Sequence, residues 1–266
     1  MKRVFLFLMI VGLTTMNVFS QKSETRPVSG FTGIDASSVF DITITKGGTE
    51  SLSIEADDEV MPYVRSEVRN GVLHLYLDND QRIKNIKVLR ASVVMRNLDK
   101  VTLSGACKLI ANDLFTPDRF KSDCSGASNM TVNLNTNQLS IETSGASKTL
   151  IKANVSGNTN MDTSGASKTQ AELRASGVTI DCSGVSSIEL TGSANNITMD
   201  VSGVSKVKAE NFTVKTANIE SSGNSNVTVN VTDALKVNSS GMSFVSYKGS
   251  PALDVSNSKM SNVRKL

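Results

Sequence analysis

Residues 144–173 read SGASKTLIKANVSGNTNMDTSGASKTQAEL. The five residues Ser-Gly-Ala-Ser-Lys open this stretch at Ser144 and return at Ser164. Relaxed to Ser-Gly-x-Ser/Cys, the motif recurs with its glycine at Gly105, Gly126, Gly145, Gly165, Gly184, Gly203, Gly223 and Gly241. The intervals are 21, 19, 20, 19, 19, 20 and 18 residues. A period close to 20 held over seven steps is the signature of a solenoid, in which one short unit cannot bury a core alone and stacking buries a continuous one.

Within each period the residues alternate. From Cys124 to Leu134, the even offsets from Gly126 hold Cys124, Ser128, Met130, Val132 and Leu134, and the odd offsets hold Ser125, Ala127, Asn129, Thr131 and Asn133. The same parity returns at Val178, Ile180 and Cys182, and again at Val227, Val229 and Val231. Alternation with one apolar face reads as half-buried strand. The expected fold is therefore all-β: a single-stranded parallel β-helix of about 20 residues per coil, with coils about 4.8 Å apart. No proline lies between Pro117 and Pro251 to interrupt the ladders. An antiparallel sandwich also has short strands, but it has no reason to hold glycine at one phase. The serines two residues after the glycines (Ser128, Ser147, Ser167, Ser186, Ser205, Ser225 and Ser243, with Cys107 in the first step) face inward by parity. They are expected to form a ladder in which each hydroxyl donates to the next.

The flanks of the repeat divide the chain further. Met1-Lys2-Arg3, the apolar run Val4–Leu13 and Val18-Phe19-Ser20-Gln21 describe a secretory leader cleaved after Ser20. The run is too short to span a bilayer, and no later segment is apolar enough to do so. Loss of Lys2 and Arg3 lowers the formal charge from +3 to +1, a balance that points away from nucleic acid. Residues 21–103 lack the repeat and are expected to form a small β-rich head and cap. It would carry strands at Val39–Thr45, Leu52–Ala56 and Val72–Leu77, a helical turn near Asp58 and an Asn70-Gly71 hairpin turn. Residues 104–266 would form the helix, closed by the tail from Pro251 with Lys259, Arg264 and Lys265.

The order of RPVSGFTGIDASSVFDITITKGG, SLSIEADDEVMPYVRSEVRNGVLHLYL and the Ser-Gly coils resembles a bacterial family described as putative auto-transporter adhesin, head GIN domain. The likeness runs from about Arg26 to about Lys248. It implies a right-handed β-helix exported by Gram-negative bacteria, and it brings no catalytic residues.

Little in the sequence points to chemistry. His74 is the single histidine and falls on the polar face of its strand, without a Gly-x-Ser-x-Gly elbow. Zinc, phosphate-loop and EF-hand patterns are missing. Cys124 and Cys182 share a phase three coils apart, about 14 Å, too far for a disulfide, so all three cysteines are expected as free buried thiols. Two outer columns stand out. Asp123, Glu142, Asp162, Asp181, Asp200 and Glu220 sit three residues before their glycines, and Lys148, Lys168 and Lys206 sit three after theirs. The acidic column reads as a solvated stripe, as a site where calcium bridges coils, or as the carboxylate pair of a glycan hydrolase or lyase. The expected function is a non-enzymatic, adhesin-like binding module of the cell envelope, with a cell-surface protein or glycan as partner and no cofactor beyond calcium. A structural envelope spacer and a polysaccharide-active enzyme are the alternatives. The expected location is the periplasm, the outer-membrane surface or the exterior.

Overall fold

A computed structural model describes residues 21–78 and 85–266. The leader expected at residues 1–20 lies outside the described residues. The chain is a β-solenoid of about nine turns, about 19 residues each, and among the described residues the only helical turn is the short 3-10 segment Met61–Tyr63. Strand Asn129–Thr136 pairs in parallel with Lys148–Val155, which sets Val132 beside Ile151 and Leu134 beside Ala153. On the other face Gln138–Thr143 pairs with Asn158–Thr163, with Ile141 beside Met161. The expected parity holds: Ile141, Ile151, Met161, Ile180, Ile188 and Met199 are all buried. Each such side chain contributes about 1.5–3 kcal/mol when removed from water. From Lys168 on, the two strands of a coil run together as the single elements Lys168–Cys182, Ser187–Val201, Lys206–Ser221 and Asn226–Ser239.

The glycine column has a steric cause. Gly165 has φ +73°, and a Cβ there would stand 2.7 Å from the Gly145 carbonyl oxygen. That oxygen is close because it accepts the Ala166 N–H at 2.7 Å. The turns thus stack backbone on backbone, and a side chain would have to displace a hydrogen bond.

The head is part of the same stack. Gly33–Ala36 and Asp41–Lys46 pair in parallel with Lys100–Leu103 and Lys108–Phe115 above them. The turn between them is Ser37-Ser38-Val39-Phe40, and Ser38 takes φ +75° where the later turns have glycine. Ala106 N–H donates to Ser38 O at 2.7 Å, as each later turn does to the one below. So the segment expected to cover the first coil contains that coil. Beneath it the pairing changes hand. Val64–Arg69 and Val72–Leu77 form an antiparallel hairpin around Asn70 (φ +50°) and Gly71 (φ +73°), as expected for Asn-Gly. On the second face Leu89–Met95, Ser51–Asp57 and Gln21–Arg26 follow downward, the last two joined antiparallel.

Two expectations need correction. The inward serines do not mainly donate to one another. Ser167 Oγ donates to Ser164 O at 2.6 Å, Ser186 Oγ to Ser183 O at 2.7 Å and Ser243 Oγ to Ser240 O at 2.7 Å, so each closes its own turn. One inter-coil hydroxyl pair, Ser186–Ser205 at 3.5 Å, remains. A carbonyl within the turn is nearer than a hydroxyl one coil away, and it is the better acceptor. Nor does the tail from Pro251 close the far end. Ala252–Asn257 and Asn262–Lys265 add one more coil, and their side chains are mostly exposed.

Candidate functional site

Parallel register turns sequence phase into columns. Asp123, Glu142, Asp162, Asp181, Asp200 and Glu220 are successive Cα partners in adjacent coils. Below Asp123 the column continues through Thr102 and Asp35 to His74, whose Nδ1 is 3.3 Å from Asp35 Oδ2. The expected stacking of the carboxylates is therefore present. Burial and then the neighbouring Asp162 and Asp200 push the Asp181 carboxyl above its ordinary value, because a charged Asp181 has lost solvent and gained like charges. Glu142 is relieved by Lys121, 2.9 Å away in the next outer column, a pair that the repeat phase alone does not reveal. Among the described residues no group of three Asp, Glu, His or Cys side chains could hold a metal ion. The column offers one carboxylate per coil in a line.

The basic column is discontinuous. Lys148 and Lys168 are partners, Ser187 comes next, then Lys206. Lys168 leans away from the acids toward Glu189, at 3.5 Å. Lys108 and Asn129 extend the column downward.

Cys107, Cys124 and Cys182 are free and buried, as expected. Burial pushes the Cys107 thiol up to about 11 and the Cys124 thiol up to about 12. Both are held neutral and unreactive at physiological pH. Cys124 is separated from Cys182 by Thr143 and Thr163 in the same interior column.

Period counting did not reveal a shallow groove of about 450 Å³ on the face that follows the glycine turns. The exposed Leu150 lines it together with Asn112, Asn133, Lys152, Gln170 and Glu189. Register explains one wall. Val132 pairs with Ala111 and Asn133 with Leu114, so Asn112 and Asp113 bulge out of the ladder. The bulge is pinned where Asp113 Oδ2 accepts the Lys46 N–H at 2.7 Å and Lys46 Nζ donates to Leu114 O at 2.9 Å. The polar wall is pre-set by Gln170 Nε2 donating to Glu189 Oε2 at 3.1 Å and by Lys152–Glu172 at 3.1 Å. The signal was available: the 21-residue first interval, the longest of the seven, contains those two extra residues.

A β-solenoid with outer polar columns and a shallow amide-lined groove is the architecture of a solenoid repeat protein. Residues 30–172 and 149–251 match the family model described as "Putative auto-transporter adhesin, head GIN domain", and the chain belongs to that family. Three crystal structures share the fold. A putative adhesin from Parabacteroides merdae is 17% identical, covering 92% of this chain and 96% of its own, with a TM-score of 0.64. A putative adhesin from Parabacteroides distasonis is 20% identical, covering 93% and 97%, with a TM-score of 0.60. A putative lipid binding protein from Parabacteroides distasonis is 18% identical, covering 92% and 96%, with a TM-score of 0.59. No curated protein matches the chain. Among the described residues no helix is long and apolar enough to cross a membrane.

Proposed function

We propose that this protein is a non-enzymatic, adhesin-like binding module, exported to the cell envelope, that captures a cell-surface protein through the groove beside Leu150. The observation that carries the reading is the groove itself. It is a preformed concavity combining one exposed apolar side chain with fixed amide, carboxylate and ammonium groups. Such a mixture suits an extended polypeptide, which offers backbone donors and acceptors together with an apolar side chain. A glycan is the second choice, because none of the groove's residues is aromatic and sugar rings gain much of their affinity by stacking. The family and the putative adhesin names of two structural relatives support the coarse assignment.

The test is capture from envelope extracts by the purified protein beside a Leu150→Asp/Gln170→Ala variant. A partner retained by the parent and lost by the variant supports the groove. Equal retention overturns it, and retention by neither supports the spacer reading. The enzyme alternative would require turnover of a polysaccharide that is lost in Asp181→Asn. Calcium is tested separately by melting with the ion and with chelator. We expect no shift, whereas a rise lost in Asp162→Asn/Asp181→Asn/Asp200→Asn would make the acidic column a calcium site. Export is checked by cell fractionation.

A further inference from the structure

The residue after each turn glycine stacks one per coil, each N–H donating to the turn below. In the upper half this position presents Val185, Val204 and Met242, which are 67%, 57% and 53% exposed, and the equivalent Met260 in the last coil is 69% exposed. These form a largely apolar ridge along one edge of the solenoid, interrupted by Asn224 between Val204 and Met242 and continued downward by smaller side chains such as Ala166. Exposed aliphatic side chains aligned in this way mark an interface more often than a free surface.

The two flanks of the ridge carry opposite charge at the levels of Lys148, Lys168 and Lys206, whereas Ser187, Asn226 and Phe244 hold the lysine position in the other upper coils. Three residues before the turn stands the acidic column, and three after it the basic one. Among the described residues Asp162, Asp181 and Asp200 have no cationic partner, and neither Lys148 nor Lys206 has an anionic one. Isolated, the acidic column is a line of like charges about 5 Å apart, which repel one another along the stack. The Asp181 carboxyl is raised first by burial and then by its column neighbours Asp162 and Asp200.

We infer that two copies of this chain pair side by side and parallel along this ridge, the acidic flank of each facing the lysine flank of the other. Symmetry selects the arrangement. A two-fold axis parallel to the solenoid exchanges left and right flanks, so acid meets lysine at the same coil level. Glu142 and Lys148, Asp162 and Lys168, and Asp200 and Lys206 each flank one turn. A two-fold axis perpendicular to the solenoid would set acid against acid. The apolar ridge supplies contact area, and the flanks supply register and orientation. This inference is independent of the groove on the neighbouring face and of what that groove binds.

The experiment is sedimentation velocity of the purified protein over a wide concentration range at low and high salt. The expected result is a reversible dimer whose dissociation constant rises by roughly tenfold or more in high salt. Val185→Asp/Val204→Asp should be monomeric with an unchanged melting temperature, since both positions are exposed. Lys148→Glu/Lys168→Glu/Lys206→Glu and Asp162→Lys/Asp181→Lys/Asp200→Lys should each be monomeric, and mixing the two should restore the dimer. Ala127→Cys and Met242→Cys should each cross-link to its own kind. A parent that is monomeric throughout, or a dimer indifferent to the ridge and charge variants, overturns the inference. Cross-linking only between Ala127→Cys and Met242→Cys overturns the parallel arrangement.

Discussion

The two ends of the solenoid solve the same problem differently. Every coil pairs with the next, so the first and last are left with strand edges. At the N-terminal end the lowest strands, Val64–Arg69 and Gln21–Arg26, are both antiparallel additions. They are tied together by Arg26, whose Nη1 donates to Val64 O at 2.9 Å and to Ser66 Oγ at 3.2 Å. Ion pairs Lys22–Glu24, Arg65–Asp78 and Arg69–Glu67 line that rim, and Phe31, Leu52, Ile54 and Leu73 fill the interior above it. Among the described residues nothing comparable covers the coil of Ala252–Asn257 and Asn262–Lys265. Leu235 and Val237 are each 1% exposed, whereas Leu253 and Val255, their partners one coil up, are 51% and 39% exposed. Inward phase is therefore not burial: a side chain facing the core is buried only if another layer lies beyond it.

That contrast can be broken or sharpened by substitution. The largest effect is expected at the closed end and in the coil beneath the last one. Leu52→Ala and Leu235→Ala should each cost about 2–5 kcal/mol, whereas Leu253→Ala should cost less than about 1 kcal/mol, as read by chemical denaturation. Equal costs at Leu235 and Leu253 would mean the last coil is covered in solution.

Next comes the turn column. Gly165→Ala places a Cβ against a stacked carbonyl at positive φ and should cost about 2–4 kcal/mol. Ser38→Gly, at the lowest turn, should change stability by less than about 1 kcal/mol. A gain from Ser38→Gly as large as the loss from Gly165→Ala would show the strain is local to each turn rather than set by the coil beneath.

A smaller gain is expected where a polar group lies inside without a partner. Thr159 Oγ1 is buried and unsatisfied, between Leu139 below and Val178 above. Thr159→Val should stabilise by about 1 kcal/mol, and a loss would show that the hydroxyl has a partner in solution.

The smallest effect concerns Asp181. Its folded-state carboxyl lies above the ordinary unfolded value, so the native state binds that proton more tightly. The destabilisation is fully present above the folded pKa and disappears as pH falls below the unfolded one. Asp181→Asn should therefore raise the melting temperature at neutral pH by an amount equivalent to a few tenths of a kcal/mol. The gain should vanish in acid. A gain that persists there would assign it to something other than charge.

Much of this architecture is legible in the sequence. Gly105 to Gly241 gave the period, alternation gave the inward set, and the phase of Asp123 to Glu220 gave a column that the register reproduces residue for residue. The first coil was not legible, because Ser38 replaces the marker glycine and Phe40 the marker serine. The groove was hidden in an interval only slightly longer than its neighbours. The ridge was hidden because Ala166, Val185 and Met242 are apolar residues at an outward phase, and alternation alone gives such positions no weight.

The sequence by itself determined the repeat, and with it which side chains share a column, because a parallel ladder in register converts equal phase into vertical neighbours. Only the tertiary structure decided which inward residues are buried, which serine oxygens find which acceptors, and where a bulge opens the surface. Those depend on what lies in the next coil or beyond the last one, and a period cannot report where its own stack is left uncovered.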